Sequence, residues 1–155
     1  MRLMILASSL LLCACAANGA RPTGQNWSSA GYQGFAASID SFVGPAIDCG
    51  FFNLLVDKPA SAVRRQARAC VERAIAAGLP FKYGTERLPI DSYATEVIAR
   101  TPDGKLWMIV FDVMIDGDAP QQWNQVCRTV AVDTRTMIIN AQGCEEQSSG
   151  RLVTP

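Results

Sequence analysis

Apolar residues run through this chain in three rhythms, and each predicts a different structure. Leu3 to Leu12 is almost continuously apolar, broken only by Ser8 and Ser9. From Phe35 to Val43, and again from Pro59 to Ala77, apolar positions recur at intervals of three and four; beyond Phe81 they alternate. The first interval marks one face of a helix and the second a strand. Phe35, Ile39, Phe42 and Val43 therefore predict a short amphipathic helix, ended by Gly44-Pro45. Ala46 to Val56 is mostly apolar around Cys49-Gly50, and its pattern fits a strand and a buried loop equally.

Pro59 to Ala77 is the clearest element. Proline suits the first helical position, where its missing N–H is not needed. Ala60, Val63, Ala67, Cys70, Val71, Ala74 and Ala77 fall on one face, and Arg64, Arg65, Arg68 and Glu72 on the other. Gly78 is placed to cap the helix and Pro80 to stop it. The apolar face is rich in alanine, so it can approach a sheet closely. Cys70 lies on that face, within reach of Cys49. A Cys49–Cys70 bridge would close a loop of about 20 residues, worth on the order of 3 kcal/mol in the chain-entropy model.

Strand signals follow. Phe81 to Tyr83 is a short candidate, and Tyr93 to Arg100 alternates. Thr101-Pro102-Asp103-Gly104 has the residues of a turn. Leu106 to Ile115 carries Trp107, Ile109, Phe111 and Val113 on one face and Leu106, Met108, Val110 and Met114 on the other. A strand apolar on both faces is central and covered on both sides, which leaves Asp112 in need of a partner or an exposed end. Val126 to Asp133 and Met137 to Cys144 predict a hairpin about Thr134-Arg135-Thr136. If opposite residues have numbers that sum to 271, Val132 meets Ile139, Val130 meets Ala141 and Cys127 meets Cys144. A slip of one residue loses both the apolar match and the cysteine match, which favours a Cys127–Cys144 bridge. The polar tail from Glu145 is expected to fray. These elements predict an α+β fold, one long helix packed on an antiparallel sheet of about four strands. The order of helix then meander is similar to a cystatin-like architecture.

The N-terminal block has a different logic. Arg2 precedes it and small residues Ala14, Ala16 and Ala17 follow, the layout of a secretory signal peptide. Leu12-Cys13-Ala14-Cys15 resembles the lipobox of bacterial lipoproteins at three of its four places, with Cys13 as the departure. The resemblance implies cleavage before Cys15 and acylation of that residue as a membrane anchor. Ala16, where a retention signal for the inner membrane would place Asp, points by the same resemblance to the outer membrane. Cleavage after Ala16, at Ala14-Cys15-Ala16, is the alternative and would leave a soluble periplasmic or secreted protein. The expected organisation is a signal peptide over residues 1–14, a flexible tether over 15–34, a disulfide-stapled domain over 35–147 and a polar tail over 148–155.

Composition narrows the chemistry. The chain has 14 basic and 14 acidic residues and no histidine. A balanced charge argues against nucleic acid as a partner. Without histidine, Ser-His-Asp and Cys-His catalysis cannot be built. Cys49, Cys70, Cys127 and Cys144 form no close pair of the kind zinc sites use. In an exported domain an even number of cysteines predicts disulfides. No cofactor and no metal are expected. Asp112, Asp116 and Asp118 crowd one strand end but lack the ordered calcium loop and its closing Glu, so a plain turn is preferred. Ser92 after Asp91 has no visible base. Asp91, Glu96 and Asp112 are the acids near the sheet that could serve two-carboxylate glycoside chemistry, and nothing in their spacing selects a pair. Trp107, Trp123 and Phe111 read as core and rim in preference to a sugar platform. The arginines of the long helix, Arg73 included, read as a solvated face.

Cys49-Gly50, Cys70, Gly78-Leu79-Pro80-Phe81, Asp91-Ser92, Asp103-Gly104 with Trp107, and the two late cysteines together resemble a set of secreted, disulfide-containing bacterial proteins of uncharacterised function. That resemblance implies a shared fold and no activity. The functional expectation is a non-catalytic envelope lipoprotein that binds a protein or other envelope partner. The alternatives are an inhibitor that presents a loop such as Asp116 to Gln122 to a hydrolase, or a histidine-free carboxylate hydrolase of envelope glycan.

Overall fold

A computed structural model describes residues 35–114 and 121–147. The expected signal peptide and tether, Cys15, Asp116, Asp118 and the expected polar tail lie outside these residues. Helix α1 spans Phe35–Val43 and α2 spans Ser61–Ala76. The strands are β1 (Ile47–Asn53), β2 (Phe81–Arg87), β3 (Ser92–Arg100), β4 (Leu106–Met114), β5 (Gln121–Cys127), β6 (Thr129–Val132), β7 (Ile139–Gln142) and β8 (Glu145–Glu146). Six of them form one sheet in the order β1-β2-β3-β4-β5-β8, and β6 with β7 forms a separate hairpin.

The undecided segment Ala46 to Val56 is a strand, and it sets the topology. β1 lies parallel to β2, with α2 as the crossover between them. The ladder slips between Asp48 and Phe51, where Gly50 takes φ 105° and donates its N–H to Asp48 Oδ1. Only glycine adopts such a bulge angle without strain. Helix α2 ends as the sequence predicts. Leu79 N–H reaches Ala74 O and Gly78 N–H reaches Ile75 O, with Gly78 at φ 66°, the paired bonds of a Schellman cap.

Both faces of the sheet are covered, from opposite sides. On one, Phe35, Ile39 and Val43 of α1 pack on Val97, Ala99, Ile109 and Phe111. Lys82, buried on β2, fastens this helix by bonding Asp40 of α1 and lying 3.9 Å from Asp48 of β1. On the other, Ala67, Val71 and Ala74 of α2 pack on Phe52, Phe81, Tyr83 and Ile98, and the β6–β7 hairpin completes the layer with Val130, Val132, Met137 and Ile139. β4 sits inside this sandwich with the two apolar faces its sequence predicts.

These findings correct the expected fold class. There is no single long helix on a four-stranded antiparallel sheet, and the cystatin-like analogy goes with it. Among the described residues strand predominates, about 47% against 22% helix. The sheet has six strands, one of its pairings is parallel, and helices cover both faces. The cause is β1, which alternation could not reveal because Cys49 to Phe52 is buried throughout. A second correction concerns Val126 to Asp133, which is not one strand. The chain leaves the main sheet at Arg128, so β5 pairs with β4 while β6 pairs with β7. A third is that Glu145 and Glu146 do not fray; they pair with Val126 and Gln125 as β8.

The hairpin register matches the arithmetic, with Val130 opposite Ala141 and Val132 opposite Ile139. Cys49 is bonded to Cys70 and Cys127 to Cys144. Two disulfides belong to an oxidising compartment, the cell exterior or the periplasm. No helix among the described residues is long and apolar enough to cross a membrane.

Candidate functional site

The sheet face under α2 is apolar where the helix covers it and polar beyond. Strand pairing places Thr85, Glu96, Val110 and Trp123 in one cross-strand row and Arg87, Ala94, Asp112 and Gln121 in the next. Ala94 is small, so the long side chain of Arg87 and the carboxyl of Asp112 can converge across it, and Glu96 is the diagonal neighbour of both. Arg87 Nη2 donates to Glu96 Oε1. The Glu96 carboxylate raises the already high pKa of the guanidinium, against desolvation, with Asp112 adding a smaller attraction. Thr85 Oγ1, Arg87 Nε and Asp112 Oδ1 are shielded from solvent without a hydrogen-bond partner.

This cluster selects a pair from the acids near the sheet. Glu96 and Asp112 share a face; Asp91 is exposed in the β2–β3 turn. Diagonal neighbours on adjacent strands lie roughly 7–8 Å apart at the backbone, a separation from which two carboxylates can flank a glycosidic bond. The surroundings oppose that use. Glu96 is only 6% exposed and commits an oxygen to Arg87, and Thr85 beside it is fully buried. Arg87, bonded to Glu96 and more weakly attracted by Asp112, balances one of the two acid charges and ties Glu96 into a structural pair.

The remaining sequence candidates disperse. Trp107 and Phe111 face α1, where Trp107 meets Phe42 edge-on at 5.0 Å and donates Nε1–H to Thr101 Oγ1. Trp123 lies on the opposite face, so the three rings form no shared platform. Ser92 is buried at the start of β3. On α2, Arg68 pairs with Glu72 at 2.6 Å on the solvated face, whereas half-buried Arg64 turns back to donate to Pro59 O. Among the described residues no group of three or more Cys, Asp or Glu side chains is gathered to hold a metal ion.

Sequence reasoning misses Arg87 and Thr85, because the short candidate Phe81 to Tyr83 stops four residues before β2 ends at Arg87. Phe81, Tyr83, Thr85 and Arg87 alternate with Lys82, Gly84 and Glu86, and that alternation was the available signal. No protein-family model, curated protein or solved structure matches the chain.

Proposed function

We propose that the chain is a non-catalytic envelope lipoprotein, anchored through Cys15 to the outer membrane and holding its disulfide-stapled domain in the periplasm to bind a protein or other envelope partner. Leu12-Cys13-Ala14-Cys15 supports the anchor, and the two disulfides support export. The observation that carries the non-catalytic reading is the state of Glu96. The acid best placed to work with Asp112 is buried and commits an oxygen to Arg87, which opposes its use on a substrate.

The test has two arms. Cys15→Ser should move the protein from the membrane fraction to the soluble periplasm; a variant that stays with membranes refutes the anchor. The soluble variant should release no fragments from purified envelope glycan, and should retain a specific partner from envelope extracts. Glycan release that disappears in Glu96→Gln would replace the binding reading with the hydrolase.

A further inference from the structure

Among the described residues, the end of the sheet at which α1 begins is also the rim that exposes the most large apolar side chains. Phe35, the first residue of α1, lies 5.4 Å from Phe111 toward the finish of β4, whereas Phe42 meets Trp107 near that strand's start. Helix α1 therefore begins where β1, β2 and β4 end. Two turns project from the same end, residues 54–60 after β1 and 88–91 after β2. They leave from neighbouring positions, because Asn53 is paired with Glu86. The first turn exposes Leu55 and Val56, the second Leu88 and Ile90, and Tyr93 stands beside them at the start of β3. Val56 is 76% exposed and Ile90 88%.

The first turn is held in place. Asn53 Oδ1 accepts from Leu55 N–H, and Asn53 O accepts from Val56 N–H and Asp57 N–H. Pro89 stiffens the second. Large apolar side chains kept in water on preformed turns mark an interaction surface. Among the described residues of this rim, exposed Lys58 and Arg65, with Arg64 beside them, offset the acids Asp57 and Asp91.

We propose that this end faces the membrane, with Val56 and Ile90 entering the leaflet that holds the acyl chains of Cys15 and Tyr93 at the headgroup level. The proposal rests on the lipoprotein reading of Cys15. Twenty peptide links join Cys15 to Phe35, so the domain stays within roughly 70 Å of its anchor. Confinement of that kind gives an effective concentration on the order of millimolar, at which a weak surface contact is populated. Each tip contributes roughly a tenfold gain in partitioning, and tyrosine suits the interface because one end of its ring is apolar and the other polar. A protein partner competes for the same tips. The bilayer is favoured because the chain leaves for its anchor from this end.

The acylated protein is reconstituted in vesicles of phosphatidylethanolamine and phosphatidylglycerol, and its amide exchange is compared with that of the Cys15→Ser protein free in solution. Exchange should slow by roughly fivefold or more in residues 54–58 and 88–91 and not elsewhere in the domain. The Val56→Asp, Ile90→Asp double variant should lose this slowing and still sediment with the vesicles. Sedimentation reads the anchor and exchange reads the docking. Sedimenting protein whose two turns exchange as fast as in the free chain overturns the docking and leaves the anchor standing. Wild-type protein that remains in the supernatant overturns both. Slowing of the same turns without vesicles, growing with protein concentration, assigns the tips to a second copy and overturns the membrane assignment.

Discussion

Tyr83→Phe tests the join between the sheet and the hairpin that covers it. Tyr83 is fully buried, and its O–H donates to the Met137 carbonyl at 2.9 Å. That carbonyl belongs to a turn residue at φ 63°, a costly conformation for methionine that persists only because its surroundings hold it. Removing the hydroxyl leaves a buried acceptor unpaired, a cost of about 1–2 kcal/mol. The same burial pushes the phenol pKa well above its ordinary value of 10.0, and the two effects differ in their dependence on pH. Below pH 10 the phenol is protonated in both folded and unfolded chains and contributes no pH dependence. Above pH 10 the unfolded chain releases this proton while the folded chain keeps it, so stability falls as pH rises. The loss reaches about 1.4 kcal/mol by pH 11. Wild type should therefore exceed Tyr83→Phe by about 1–2 kcal/mol at pH 8, with the gap narrowing toward zero by pH 11. Urea unfolding of both proteins in the Cys15→Ser background, followed by circular dichroism between pH 8 and pH 11, measures the gap directly, because titrations common to both cancel. A gap that stays constant across this range means that the phenol ionises freely in the folded state, and refutes the reasoning.

Arg87→Met leaves Glu96 buried without its counter-ion and should cost about 2–3 kcal/mol, less than a fully buried pair because the arginine is partly exposed; adding Glu96→Gln should recover roughly half or more of that loss. A single-variant cost below about 0.5 kcal/mol would place the pair with inconsequential surface bridges. Replacing Cys49 and Cys70 together by alanine should cost about 3 kcal/mol, and thiol labelling of the native wild-type domain should find no free thiol among Cys49, Cys70, Cys127 and Cys144. Four labelled thiols would refute the bridges.

What could be read from the sequence was local. The alanine face, Gly78 and Pro80 fix α2 because every one of these signals lies within the helix or no more than four residues beyond it; Pro59, expected at the first helical position, instead precedes the N-cap Ala60. The two faces of β4, the Thr101–Gly104 turn and the hairpin register were legible for the same reason. The pairing of β1 with β2 was not, since α2 separates the two strands in sequence and β1 is buried along most of its length. The exit at Arg128 was hidden because the apolar register of Val126, Val130 and Val132 resumes beyond this one arginine, across a change of sheet. Glu96 and Asp112 were visible as acids, but only the pairing of β3 with β4 shows that they share a face. Arg87, the residue that decides their role, became part of the picture once β2 extended past Tyr83.

The disulfides bear on how the domain is made. Each joins cysteines that are adjacent in order along the chain, Cys49 with Cys70 and Cys127 with Cys144. A polypeptide threaded through a membrane from its N-terminus delivers Cys49 and Cys70 to the oxidising side while the second pair is still behind. Of the three possible connectivities, the native one is the one that arises when each arriving thiol is joined to the last unpaired one. β1, α2 and β2 emerge in the same order, so the first bridge can form before the meander follows. An oxidase is then sufficient, and an isomerase has nothing to correct.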